Sequence, residues 1–392
     1  MRNVGQCPFV AGVHNLDEIH EELRTSNPGV HRAELPDGSP VWLVTGWEAV
    51  TRMLADPRMS ASKSASTTGF VGQNLPAALD ANLLNIDGDQ HRRVRRLAAE
   101  AFAPERHPAQ EQLIRGAVAE LVDALPAGEV IDVMIGVCEP LPPQVIGTLL
   151  GLPQDELAAF RLAAQPMFMV DDQNPDDTLR TAMATMLMLV ASVIEDKRRR
   201  PRDDLISQWV QARDGEDRLT DEELISLAFA MIVGGFEIVT SLCSIVLDEL
   251  IRNHAVRARA LLDRPAEFGR MVRDVMRTVA PMNYAVRRFP LTDMEVNGVR
   301  IPQGHTVMLS LRSAHLDPAG DERPDLVFGH GRHYCLGATL AEMQTVHIAR
   351  AILTRYPVLR PIKPRAEYRL RPSWLTYSLA ELSFSTRAAP VT

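Results

Sequence analysis

Thr220-Asp221-Glu222-Glu223 opens the stretch that most restricts what this 392-residue chain can become. Threonine with glutamate three residues later is a capping box, in which side chains and backbone satisfy each other's free amides at a helix start. The residues that follow predict a helix to about Asn253, roughly 50 Å long at the usual rise per residue. Leu224, Leu227, Phe229, Ile232, Val233, Leu242, Val246 and Leu250 make it apolar nearly all round. Such a helix crosses an interior, and the rest of the chain has to wrap it. A membrane span is the other environment that accepts it, but Glu237 at its middle argues against that. Gly234-Gly235 is locally costly in mid-helix and marks a kink or the close approach of another group.

A second stretch, Phe328 to Gly337 (FGHGRHYCLG), precedes the helix-like run ATLAEMQTVHIARAIL. A free cysteine is usually an inert core filler. The surroundings of Cys335 point elsewhere. Gly329, Gly331 and Gly337 permit turns and close backbone approach. Arg332 and His333 favour an anion, and the following helix aims its free amides and positive dipole end at the sulfur. This is the setting of a thiolate held against a metal.

The decapeptide resembles the haem-binding loop of the cytochrome P-450 family, where Phe, Gly, a basic residue, Cys and Gly recur at this spacing. The resemblance implies a mostly α fold, a triangular helical prism with small β-sheets, and haem b (iron protoporphyrin IX) as cofactor. It makes Cys335 the axial thiolate and sole metal ligand, with Phe328 beneath the porphyrin, Gly329 and Gly337 shaping the loop, and His333 near a propionate. His91 and Arg95, at i and i+4 in HRRVRRLAAEAF, match the family's two propionate-binding residues, and Arg288 matches another. Gly234-Gly235-Phe236-Glu237 matches the oxygen-binding segment of the long helix, with Glu237 as the acid of an acid–alcohol pair. The next position should be threonine and is Ile238, which can neither donate nor accept a hydrogen bond. Thr240 points roughly 200° away from it. Proton delivery is then expected through Glu237, ordered water or the substrate. By the same resemblance Val233, Phe236, Asn283, Tyr284, Ala285 and Trp374 are expected to meet the substrate.

A second departure is Asp274-Val275-Met276-Arg277, standing where relatives carry Glu-x-x-Arg. Its carboxylate–guanidinium pair is expected across i, i+3, with Arg323 as a third member. Arg92, Arg93 and Arg96 are expected to face outward, where they would dock an acidic electron-transfer partner. Lys197-Arg198-Arg199-Arg200 reads as a solvated helix end. Met183, Met186 and Met188 read as core filler or as an adaptable lid. Asn297-Gly298 predicts a tight hairpin turn.

Composition places these motifs in a soluble setting. A net charge of −8 argues against a nucleic-acid partner. Cys7, Cys138, Cys243 and Cys335 have no paired spacing, so no zinc site or disulfide framework is implied. The polar N-terminus carries no anchor pattern, which points to a cytoplasmic, bacterial protein that does not bind membranes. A monomer is expected. One domain is expected over 1–392: a β-rich region at about 30–60, a helical core with the haem site at about 85–355, and a C-terminal hairpin at about 365–385. The expected function is oxidation of a small-molecule secondary metabolite, by hydroxylation or by oxidative C–C or C–N coupling or cyclisation, for example of an aromatic or cyclodipeptide-like substrate. Ferredoxin and ferredoxin reductase would supply electrons. The alternative is a haem-binding sensor or a catalytically silent ligand-binding relative.

Overall fold

The computed structural model describes the chain apart from residues 1–6, 11, 27–28, 70–74, 127, 169–174, 212–218, 319–324 and 388–392. Its helices, in chain order, are α1 (Leu16–Thr25), α2 (Trp47–Ala55), α3 (Ala77–Asp80), α4 (Gly88–Ala99), α5 (His107–Asp123), α6 (Leu141–Leu150), α7 (Leu157–Ala164), α8 (Pro175–Arg199), α9 (Leu205–Gln211), α10 (Asp221–Asn253), α11 (Ala255–Ala260), α12 (Pro265–Met276), α13 (Leu311–Leu316) and α14 (Ala338–Arg355). The strands are short: β1 (Val30–Glu34), β2 (Pro40–Val44), β3 (Met59–Ser60), β4 (Val130–Asp132), β5 (Phe289–Pro290), β6 (Met294–Val296), β7 (Val299–Ile301), β8 (Val307–Leu309), β9 (Arg360–Pro361) and β10 (Ser383–Ser385). Helix thus predominates over small sheets, as expected.

Helix α10 is the axis of the molecule. The capping box forms as its sequence demands: the Thr220 hydroxyl accepts the Glu223 amide, and the Glu223 carboxylate accepts the Thr220 amide. The helix runs unbroken through Gly234-Gly235 and packs against α3, α6, α8, α12 and α14. Both α8 and α10 are long and apolar enough to cross a membrane by length and composition, but two-thirds of the apolar window of α10 is buried inside the protein. Glu223 also receives Gln90 and Arg93 from α4, so the start of the axis is clamped to the basic helix. Arg93 therefore does not face outward as expected. Arg92 and Arg96 do.

A smaller core packs β1, β2 and β8 with α2 and α13. β1 and β2 are antiparallel, but β2 is also parallel to β8, in the register Trp42↔Val307 to Val44↔Leu309. The N-terminal sheet is thus completed by a strand from the far end of the chain. β6 and β7 form the predicted hairpin, with Asn297 at φ 50° and Gly298 at φ 78°, the left-handed pair such a turn needs. Met183 and Met186 are core residues, whereas Met188 is exposed. Met169 and the acidic residues Asp171 and Asp172 lie outside the described residues.

Two expectations fail here, because the fold supplies partners that the local spacing does not show. Lys197 is not solvated: its Nζ lies 2.5 Å from Asp204 Oδ2, and both side chains are almost fully buried. Asp274 and Arg277 are both exposed, and Arg277 Nε pairs with Asp325 at 3.3 Å instead. Arg323 lies outside the described residues.

His20 joins the N-terminal segment to α13. Its imidazole meets Ser310 Oγ at 2.9 Å and the Tyr284 hydroxyl at 3.2 Å, and the residue is fully buried. Burial, reinforced by the nearby Arg312 cation, pushes its pKa from 6.5 down to about 3. The folded state therefore holds neutral His20. Its contribution is full above the unfolded pKa of 6.5 and is lost as pH falls toward 3. At ~1.4 kcal/mol per pKa unit, the loss is about 2 kcal/mol by pH 5. Urea midpoints compared at pH 7 and pH 5 should show this slope in the wild type and not in His20→Leu. Equal slopes in the two proteins would rule His20 out as its source.

Candidate active site

The loop ahead of α14 is built by backbone conformation. Gly329 and Gly331 sit at φ 74° and 73°. A side chain on Gly331 would also stand 2.8 Å from the Leu54 carbonyl. These two positions need glycine. Gly337 has an ordinary φ of −89° and serves as the N-cap of α14, so its expected turn role is not needed. The Cys335 amide donates to the Phe328 carbonyl at 2.9 Å, which closes the loop. Phe328 is half-buried against the main core, edge-on to Tyr334 at 6.4 Å.

Cys335 is exposed to solvent, although it belongs to an interior loop crowded by protein. Crowding raises its thiol pKa, while the Gly337 amide and the Arg95 cation act to lower it. A sulfur that is reachable, faced by a backbone donor and a guanidinium, can bind a cation as a thiolate. The buried cysteines contrast with it: Cys243 is pushed up to about 12 by burial.

Basic groups converge around this loop. His91 and Arg95 share a face of α4, as their spacing requires. His91 packs tilted against His333 with ring centroids 4.4 Å apart, and Arg95 donates to the Tyr334 carbonyl at 2.7 Å. His91 is buried, its Nε2 has no partner among the described residues, and its pKa falls to about 4 through burial and the neighbouring His333. Arg288 is buried and donates to the carbonyls of Val286 and Arg287, with no ion pair among the described residues. Burial lowers its pKa to about 10. A reachable sulfur, an orphaned imidazole nitrogen and a buried guanidinium fit the iron and the two carboxylates of a haem.

His333 is committed to protein partners, reaching the Leu83 carbonyl at 3.1 Å and Asp87 at 3.2 Å. Asp87 also accepts the Ser60 hydroxyl and the amides of Ala61 and Ser62. Burial alone would raise its pKa, but these bonds hold it well below the usual carboxylate range. Asp87 thus ties the loop after β3 to the cysteine loop. It was missed in the sequence, where only its place just before α4 marks it.

Along α10 the two glycines do different work. A Cβ on Gly235 would lie 2.7 Å from Ile146 of α6, so this glycine is needed for helix packing. A Cβ on Gly234 would meet nothing within 4 Å. Ala230, Gly234 and Ile238, each four residues apart, are only partly covered on an otherwise interior helix. They form an open apolar face flanked by Val233. Gly235→Ala should cost about 1–3 kcal/mol by overpacking. Gly234→Ala should gain up to about 1 kcal/mol from helix propensity. Chemical unfolding of the two variants checks this, and the opposite order would refute the division of roles.

Several expected substrate contacts are corrected. Asn283 is fully buried and spent, donating to the Trp374 carbonyl at 2.8 Å and accepting from Arg312 Nε at 2.8 Å. Tyr284 is equally buried, its hydroxyl donating to the Pro8 carbonyl. Trp374 packs edge-on to Phe9 and beside Tyr284, in the N-terminal layer. Phe236 is core, on the side of α10 turned from Gly234. Ala285 remains half-exposed. Thr240 bonds its own backbone at Phe236, 3.0 Å away, and is unavailable to the open face. Glu237 is buried and paired with Arg371, a residue that no local pattern in the sequence singles out.

Comparison with known proteins agrees with this geometry. The chain is 35% identical over 359 residues to the cytochrome P450 monooxygenase PikC of Streptomyces venezuelae, covering 87% of this chain and 83% of that protein. It is 31% identical over 361 residues to the mycinamicin IV hydroxylase/epoxidase of Micromonospora griseorubida, covering 89% and 90%. The solved structure of the tirandamycin C-bound P450 monooxygenase TamI matches with a TM-score of 0.84 at 31% identity, covering 95% of this chain and 97% of that one. No family model matches the chain. With its cysteine loop, its basic cluster and relatives aligned over most of its length, the chain belongs to the cytochrome P450 family and is a haem-thiolate monooxygenase.

Proposed function

We propose that this oxidoreductase inserts oxygen into a bulky, largely apolar secondary metabolite, as a single-domain cytoplasmic monomer fed by ferredoxin and its reductase. The observation that carries the reading is the open apolar face Ala230–Gly234–Ile238 on an otherwise interior helix. Such a surface suits a ligand bound chiefly by apolar contact with few polar anchors. The relatives named as a hydroxylase/epoxidase of mycinamicin and a monooxygenase bound to tirandamycin C favour substrates of that kind.

Haem, when bound, would supply dioxygen activation, a chemistry that a thiolate ligand favours. In this reading Cys335 provides the sulfur, His91, Arg95 and Arg288 hold the carboxylates, and Gly234 leaves room on the reacting side. Ile238 keeps that side dry and gives no proton, so Glu237 is the nearest acid. That same isoleucine favours a second reading, oxidative coupling or cyclisation, in which the substrate loses hydrogen and gains no oxygen. Product mass separates the two: gain of oxygen supports insertion, loss of hydrogen supports coupling. Consumption of reducing equivalents with peroxide as the only product would overturn both in favour of a silent ligand-binding relative.

A further inference from the structure

Helix α12 buries Phe268, Met271, Val272, Val275 and Met276 on one face and turns arginines outward on the other. Arg270, Arg273 and Arg277 stand at i, i+3 and i+7, so they form one row, and like charges at this spacing repel. Two of the three have partners: Arg273 bonds Glu342 on α14, and Arg277 pairs with Asp325. Both also sit near the helix C-terminus, where cations are favoured. Arg270 is exposed and has no ion pair among the described residues. The same is true of Arg257 on α11. These four arginines line one surface cavity of about 590 Å³, whose apolar wall is Ala260, Leu261 and Met271. Glu267 and Asp274 line it too, but Glu267 lies 3.6 Å from Arg264. Asp274 has no ion pair among the described residues. The unpaired charges in the cavity are therefore two guanidinium groups and one carboxylate. This positive excess stands on a chain whose net charge is −8, and none of these residues belongs to the haem site.

A row of arginines is by itself only a solvated helix face. Room and charge together narrow what fits this one. A cavity of about 590 Å³ is in the range of small-molecule sites and exceeds what a lone inorganic anion needs. Guanidinium groups grip phosphate oxygens through two parallel N–H donors. A phosphate monoester carries a charge of about −1.5 to −2 at neutral pH, which matches two unpaired arginines. A carboxylate, with one charge, leaves one of them unmatched. We propose that this cavity binds the phosphate monoester of a small organic molecule. Arg257 and Arg270 grip the phosphate, and Ala260 and Leu261 meet the organic part. Asp274 repels the ligand and limits its affinity. No bond is made or broken in the site, and the inference does not rest on which metabolite the enzyme oxidises.

The test titrates the haem-loaded, full-length protein with phenyl phosphate by calorimetry at low ionic strength, with inorganic phosphate and benzoate as comparison ligands. Phenyl phosphate should bind saturably, one per chain, and leave the haem absorption spectrum unchanged. Arg257→Gln and Arg270→Gln should each weaken it about tenfold, the scale of one charge-assisted contact. Arg300→Gln, at an exposed position on β7 outside the cavity, should not. Asp274→Asn should strengthen binding several-fold, a gain that a damaged fold does not produce. Inorganic phosphate should bind more weakly than the ester, and benzoate more weakly still. All four variants change exposed side chains, so folding does not obscure the result. No saturable binding at millimolar phenyl phosphate, an equal loss in Arg300→Gln, or an unchanged affinity in Asp274→Asn overturns the proposal. Benzoate binding as tightly as the ester overturns the phosphate assignment, and inorganic phosphate doing so overturns the role of the organic part. A shifted haem spectrum would put the ligand in the active site and overturn the proposal as well.

Discussion

Cys335→Ser is expected to abolish turnover and to remove the thiolate signature from the ferrous carbonyl spectrum, while leaving the fold intact. The stability part follows from the backbone: the loop is closed by the Cys335 amide donating to the Phe328 carbonyl, and serine keeps that bond and nearly the same volume. The chemical part follows from the ligand, since a serine oxygen is harder and far less able to push electron density onto iron. Cys243→Ser is the matched control. That thiol is fully buried beside Thr345, so its replacement should cost stability and leave the spectrum unchanged. A Cys335→Ser protein that kept the thiolate spectrum would remove the assignment of the metal ligand.

The largest stability effect is expected at Lys197. Lys197→Met leaves Asp204 buried without its counter-charge, and breaking such a pair typically costs about 3–5 kcal/mol. Asp204 cannot turn to solvent, because its other oxygen accepts the Ser207 amide at 2.8 Å at the start of α9. Adding Asp204→Asn should recover much of the loss, since an amide keeps that bond without an unpaired charge. Urea unfolding of the two single variants and the double variant measures the coupling. A loss below about 1 kcal/mol in Lys197→Met would mean that water reaches the pair.

Legibility in the sequence followed the range of the interaction. The capping box, the Asn297-Gly298 hairpin and the glycines at 329 and 331 depend on residues within a few positions, and each formed as read. The axial helix was legible because an all-apolar run has few places to go. His91 and Arg95 were brought together by helical spacing alone. Gly234 and Gly235 looked alike in the sequence, and only the position of Ile146 divided them into an open face and a packing contact.

The residue types of this protein determined its helical core, its cysteine loop and its family resemblance, because those rest on local backbone geometry and short spacings. Which polar side chains face the site was decided by tertiary structure. Asn283 and Tyr284 were taken out of reach by Trp374, Arg312 and Pro8, all remote in sequence. Glu237 acquired Arg371 from 134 residues away. A buried charge or amide must find a partner wherever the fold supplies one, and no local spacing records where that will be.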